Sequence, residues 1–154
     1  MKMASFYCVF LCYGIVALYF IDVNAVSQEE IIKIDGALLP FITECSVQNG
    51  VNIEDLTAAK KNDNYDNLNP CLIACVFKKT GMMDDKGLFN LDKALEKTKK
   101  FLKSEEDIDK AAKVAKSCAS VNDQEISDDD KSCKRAKLLL DCFIKHKGQF
   151  PISI

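Results

Sequence analysis

The sequence predicts an all-α fold of helices cross-linked by disulfides, and three observations predict it. Cys45, Cys71, Cys75, Cys118, Cys133 and Cys142 are spaced C-x25-C-x3-C-x42-C-x14-C-x8-C. The x3 gap puts Cys71 and Cys75 one turn apart on a helix face, and x8 leaves about two turns between Cys133 and Cys142. Apolar residues recur at helical spacing between capping signals, and no segment alternates with the period of a strand. Ala, Leu, Lys, Glu and Asp are plentiful, whereas Gly and Pro are few and Trp is absent, a composition that favours helices.

Six helices follow in order. Ser27-Gln28-Glu29-Glu30 is a capping box, and Ile31, Ile34, Leu38, Phe41 or Ile42, and Cys45 continue a helical face. Pro40 lacks a backbone donor and is expected to kink or split this helix, and Asn49-Gly50 ends it. A second helix starts at Asn52, carries Leu56 and Ala59, and fades into the polar stretch Lys60 to Asn67. Asn69-Pro70 opens the third, with Pro at the first helical position. Its run Cys71 to Phe77 is apolar nearly all round, so it should be central. Gly81 suits the left-handed position after it, and Asp84-Asp85-Lys86-Gly87 reads as a turn. The fourth begins near Asn90 and presents Leu91, Ala94 or Leu95, Thr98, and Phe101 or Leu102. Ser104 with Asp107 caps the fifth, whose inner face is Ile108, Ala111, Ala112, Ala115 and Cys118. Ser127, followed by Asp128, Asp129 and Asp130, is expected to cap the sixth. That helix carries Cys133, Ala136, Leu139 or Leu140, Cys142 and Phe143, with Gly148 as its stop.

The N-terminus speaks to location. Lys2 gives a short basic region, Phe6 to Phe20 is an apolar run, and Val23 and Ala25 fit a small-residue cleavage site. The run falls short of the roughly 20 apolar residues of a membrane span. Residues 1–25 therefore read as a signal peptide that is removed. Cys8 and Cys12 leave with it, and residues 26–154 form one domain that keeps an even set of six cysteines. Export favours disulfide formation, so the mature chain should be secreted and extracellular. Net charge is −2 with both signs interspersed, and no basic patch argues for nucleic acid.

Catalytic and metal chemistry have little to stand on. His146 is the single histidine and lies in no nucleophile motif. Cys71-x3-Cys75 and the Cys142/His146 pair resemble zinc ligands only superficially, because structural zinc sites show such pairs twice. If Gly87 were the sixth position of an EF-hand loop, the first and twelfth would be Met82 and Lys93, neither a suitable ligand. No enzyme activity, cofactor or metal is expected. The remaining feature is apolar supply. Six amphipathic helices with Phe77, Phe89, Phe101, Phe143 and Phe150 could fill a solid core or line a cavity between helices. Periodicity does not separate the two, and a packed core is the simpler reading.

The cysteine register resembles that of the insect odorant-binding protein family, which includes pheromone-binding and general odorant-binding members. All five intervals agree. Cys71-Leu72-Ile73-Ala74-Cys75-Val76-Phe77-Lys78-Lys79-Thr80-Gly81, Asp84-Asp85-Lys86-Gly87 and Leu91-Asp92-Lys93-Ala94-Leu95 are similar in text. The resemblance covers all of residues 26–154. It implies a compact six-helix domain with three interlocked disulfides and an internal apolar cavity. Six cysteines allow fifteen pairings, of which the resemblance implies Cys45–Cys75, Cys71–Cys133 and Cys118–Cys142. It also implies carriage of a small hydrophobic ligand (an odorant, pheromone or fatty-acid-like molecule), with a membrane receptor as a second partner to consider. Helix faces then nominate Leu38, Ile42, Leu56, Phe77, Leu91, Leu95, Ala115 and Phe143 as the lining. The apolar tail, with Phe150 and Ile152, is a candidate lid over the pocket mouth. The alternative on the same scaffold is a secreted module that binds a protein or sequesters an amine in saliva, venom or reproductive fluid.

Overall fold

A computed structural model describes residues 27–127 and 130–149. Six α-helices form among them: α1 (Gln28–Asn49), α2 (Ile53–Lys61), α3 (Pro70–Lys79), α4 (Leu91–Phe101), α5 (Glu105–Cys118) and α6 (Lys131–Lys145). Short 3-10 turns, Ala119–Asp123 and Lys147–Gln149, follow α5 and α6. No strand forms among the described residues; a single bridge between Met83 and Phe89 closes the turn before α4. The signal-peptide residues 1–25 and the tail residues Phe150 and Ile152 lie outside the described residues.

Local chemistry starts most of these helices where the sequence places them. The Ser27 hydroxyl accepts from the Glu30 N–H at 3.3 Å, and the Glu30 carboxylate accepts from the Ser27 N–H at 2.9 Å, which completes the capping box. Asn52, Asn69, Asn90 and Ser104 each accept backbone N–H groups at the first turns of α2, α3, α4 and α5. Three expectations need correction. Pro40 does not split α1, which runs unbroken through it; only one backbone donor is missing there. Ser127 does not cap α6. That helix starts at Lys131 after Asp130 in the left-handed region, without a side-chain cap, and the Ser127 hydroxyl instead accepts from Lys134 Nζ at 2.6 Å. Gly148 does not stop α6 either: the helix ends at Lys145 with His146 as its cap.

The core is built on α3 and α6, the most extensive helix pair. Ile73, Ala74, Val114, Ala115, Cys118, Ala136, Leu139, Leu140 and Phe143 gather there, closed at one end by Met83, Phe89 and Tyr65. Phe89 meets Phe143 edge to face, with ring centroids 6.0 Å apart. Arg135 is buried and donates to the carbonyls of Val121 and Gln124, both at 3.1 Å. It thereby satisfies backbone groups in the α5–α6 connection that no helix supplies with a donor. Asn122 pairs with both backbone groups of Phe89, tying the turn before α4 to the same connection. Gly87, at φ +76°, sits so close to Ser132 that an added Cβ would lie 2.9 Å from its Cα; only glycine allows this approach.

Three disulfides bind the helices across this core. Cys45–Cys75 joins α1 to α3, Cys71–Cys133 joins α3 to α6, and Cys118–Cys142 joins α5 to α6. α3 carries two of them and occupies the central place that its nearly all-apolar surface demands.

The start of α1 is held differently. Glu30 is buried, and besides its capping contacts it accepts the Lys103 N–H at 2.9 Å from the α4–α5 loop. The Ser27 hydroxyl first, then the Ser27 and Lys103 backbone donors, keep its carboxyl below the ordinary value of 4.5. A group lowered in the folded state stabilises the fold above its unfolded pKa, and that contribution is lost as pH falls through the folded value. Stability should therefore decline as pH drops below about 4.5, with Glu29 and Glu96 shifted the same way by Lys33 and Lys93. Glu30→Gln should make the decline shallower in urea denaturation series run between about pH 6 and about pH 3. Superimposable slopes would remove Glu30 as a contributor.

Candidate functional site

Any space for an apolar ligand has to come from apolar residues that the core does not absorb. The eight helix-face residues nominated for a lining divide into three groups. Ala115 and Phe143 are buried at 4% and 8% exposure inside the main core. Phe77, Leu91 and Leu95 are half-buried and pack on its rim. Leu38 and Ile42 of α1 and Leu56 of α2 are also half-buried, but neither of the two buried clusters includes them or packs against them.

The last group is informative because of where it sits. Leu38 and Ile42 lie on the same face of α1 as Cys45, which is fully buried and bonded to α3. They are thus turned inward by helix phase while staying partly accessible. α2 buries none of its residues. It is tied to α1 by the Lys60–Asp35 ion pair at 3.0 Å, exposed on both sides, an interaction worth under about 1 kcal/mol. α2 is therefore lightly held, whereas α1 packs along α3 through its Cys45 end.

A second, smaller cluster lies at the start of α1. Leu102 and Ala111 are buried there, with Ile31 and Ile108 packed against them. Helix periodicity signalled each of these residues, but their separation from the main core depends on how α4 and α5 turn at Leu102. The Glu30–Lys103 bond had no sequence signal beyond the capping box, because its donor is a loop backbone group 73 residues away.

Two open depressions mark the outer surface. One, of about 480 Å³, is lined by Asp63, Asn64, Tyr65, Asp66, Asp141, Ile144 and Lys145. The other, of about 620 Å³, runs along the outer face of α1 past Leu39, Pro40, Thr43 and Val47. Neither includes any nominated lining residue. Two groups of side chains have metal-like proximity: Cys118, Cys142 and His146, and Cys71, Asp130 and Cys133, with donor atoms within 4.8 Å. In both, the sulfurs are bonded to each other as disulfides, and a disulfide presents no thiolate to a metal. Among the described residues no helix is long and apolar enough to cross a membrane.

Comparison with known proteins is consistent with this architecture. The model of the PBP/GOBP family matches residues 27–146. Among solved structures, the odorant-binding protein dmelOBP28a from Drosophila melanogaster is similar at 22% identity and a TM-score of 0.59. The match covers 77% of this chain and 98% of that one; at that identity the likeness concerns the fold. No curated protein sequence matches significantly.

Proposed function

Because the chain belongs to the PBP/GOBP family, we propose that it is an extracellular carrier of small hydrophobic molecules, held in an apolar space between its helices. The observation that carries this reading is the state of Leu38, Ile42 and Leu56: inward or half-buried apolar side chains that belong to no packed cluster. A ligand of odorant, pheromone or fatty-acid type would complete their burial. Apolar burial is worth about 25 cal/mol per Å² before association costs. Phe77, Leu91 and Leu95 on the core rim would form the opposite wall. The disulfides suit an oxidising, extracellular setting, with residues 1–25 as the export signal.

Displacement of the fluorescent apolar probe N-phenyl-1-naphthylamine by a panel of volatiles and lipids tests the carrier function. Probe binding should be saturable and reversed by at least one class of apolar compound. Leu38→Trp and Ile42→Trp, which fill the inner face of α1, should weaken it about tenfold with helix content unchanged. No displacement by any apolar compound would sink the proposal. The exposure of Ile32, Leu39 and Val47 at 68%, 56% and 79% favours a second reading as a protein-interaction module. Binding by that outer face would survive both Trp substitutions.

A further inference from the structure

We infer that the first half of α1 is a hinged flap, which swings about Gly36–Pro40 and is latched by the Glu30 carboxylate on the backbone of Lys103. That the flap is the ligand's way in rests on the carrier reading; the motion itself does not.

The hinge is written into the helix. Pro40 has no N–H to give to the carbonyl of Gly36, so the ladder lacks one rung there. Gly36 adds the freest backbone in the chain at the same turn. No packing need accounts for that glycine, since a Cβ built on it meets nothing within 4 Å. On the outer face Ile32 and Leu39 are exposed, so no other element of the described chain holds the helix from outside.

The two halves are anchored unequally. Beyond Pro40, Cys45 is fully buried and bonded to Cys75, Ser46 is buried beside it, and Glu44 pairs with Lys79 of α3 at 2.8 Å. Before Gly36 there is no covalent tie. Ile31 rests on the small Leu102–Ala111 cluster, the exposed Asp35–Lys60 pair reaches only the lightly packed α2, and Glu30 bonds the Lys103 N–H. The Glu30 bond carries a charge and is buried at one end, unlike the exposed Asp35–Lys60 pair. Outward movement would part Ile31 from Leu102 and uncover the inner face of α1 next to Leu38.

Amide hydrogen exchange by NMR on the full disulfide-bonded protein tests the hinge. The Lys103 amide is released only when the latch opens. Gly36→Ala/Pro40→Ala restores the missing rung far from Lys103 and should slow its exchange about tenfold, leaving α6 amides unchanged. Amides 32–35 inside the flap should stay better protected than Lys103, because the flap moves as a helix; if they exchange together with Lys103, α1 frays and no hinge exists. An unchanged Lys103 amide in the hinge variant also overturns the inference. Release of N-phenyl-1-naphthylamine tests entry. Glu30→Ala should speed it about tenfold, Glu30→Gln less, and the hinge variant should slow it. If the probe binds but its release is the same in all variants, the flap is not the entrance. If the probe does not bind, the carrier reading fails and the Lys103 amide still decides the hinge.

Discussion

Replacing Cys71 and Cys133 together by Ser should cost about 4 kcal/mol of folding stability, and removing Cys118–Cys142 about 3.5 kcal/mol. The difference follows from chain length: the first bridge spans 62 residues and the second 24. A longer loop loses more freedom in the unfolded chain when it is closed, and the dependence is logarithmic. Location works in the same direction. Cys71–Cys133 fastens α3 to α6, the pair on which the main core is assembled. Urea denaturation of the two double variants, read by circular dichroism, gives both values. If the shorter bridge proves the costlier by more than about 1 kcal/mol, restriction of the unfolded state is not the main source of stabilisation.

Leu139→Ala should destabilise the protein by about 3 kcal/mol. Leu139 is completely buried on α6 within the main core, so truncation removes apolar contact and leaves a cavity in a region cross-linked on two sides by Cys71–Cys133 and Cys118–Cys142. Those cross-links limit the relaxation that would otherwise shrink the cavity. Leu39→Ala, at a position 56% exposed on α1, should change stability by no more than about 0.5 kcal/mol. Thermal and urea unfolding of the pair measure the contrast. A loss below about 1 kcal/mol at Leu139 would mean that the core repacks around the gap.

Much of the fold is legible in the sequence because its signals are local. Asn52, Asn69, Asn90 and Ser104 mark helix starts by the hydrogen bonds that their own side chains make to the next turn. The start of α6 was misplaced because Ser127 and Asp130 both carry capping side chains. Neither side chain caps it: the Ser127 hydroxyl accepts from Lys134, and Asp130, in the left-handed region, makes no capping bond. Pro40 suggests a kink or split because it lacks one donor, yet the remaining rungs carry α1 through it unbroken. The disulfide pairing came only through family resemblance, since spacing alone leaves fifteen choices.

The candidate site divides along the same line. Helical phase placed Leu38, Ile42, Phe77, Leu91 and Leu95 on inner faces, because phase is a property of one helix. It could not say that Phe143 and Ala115 are packed among other side chains while Leu38, Ile42 and Leu56 are left without a cluster, because that depends on how far apart two helices stand. By itself the sequence determined which segments are helical, which faces are apolar and which six cysteines hold them. Tertiary structure alone decided how the apolar faces meet, assembling the main core on α3 and α6 and leaving α2 with no buried residue. It also joined Glu30 to Lys103 across 73 residues. Local chemistry acts over one turn, whereas the space between helices is set by every contact that holds them apart.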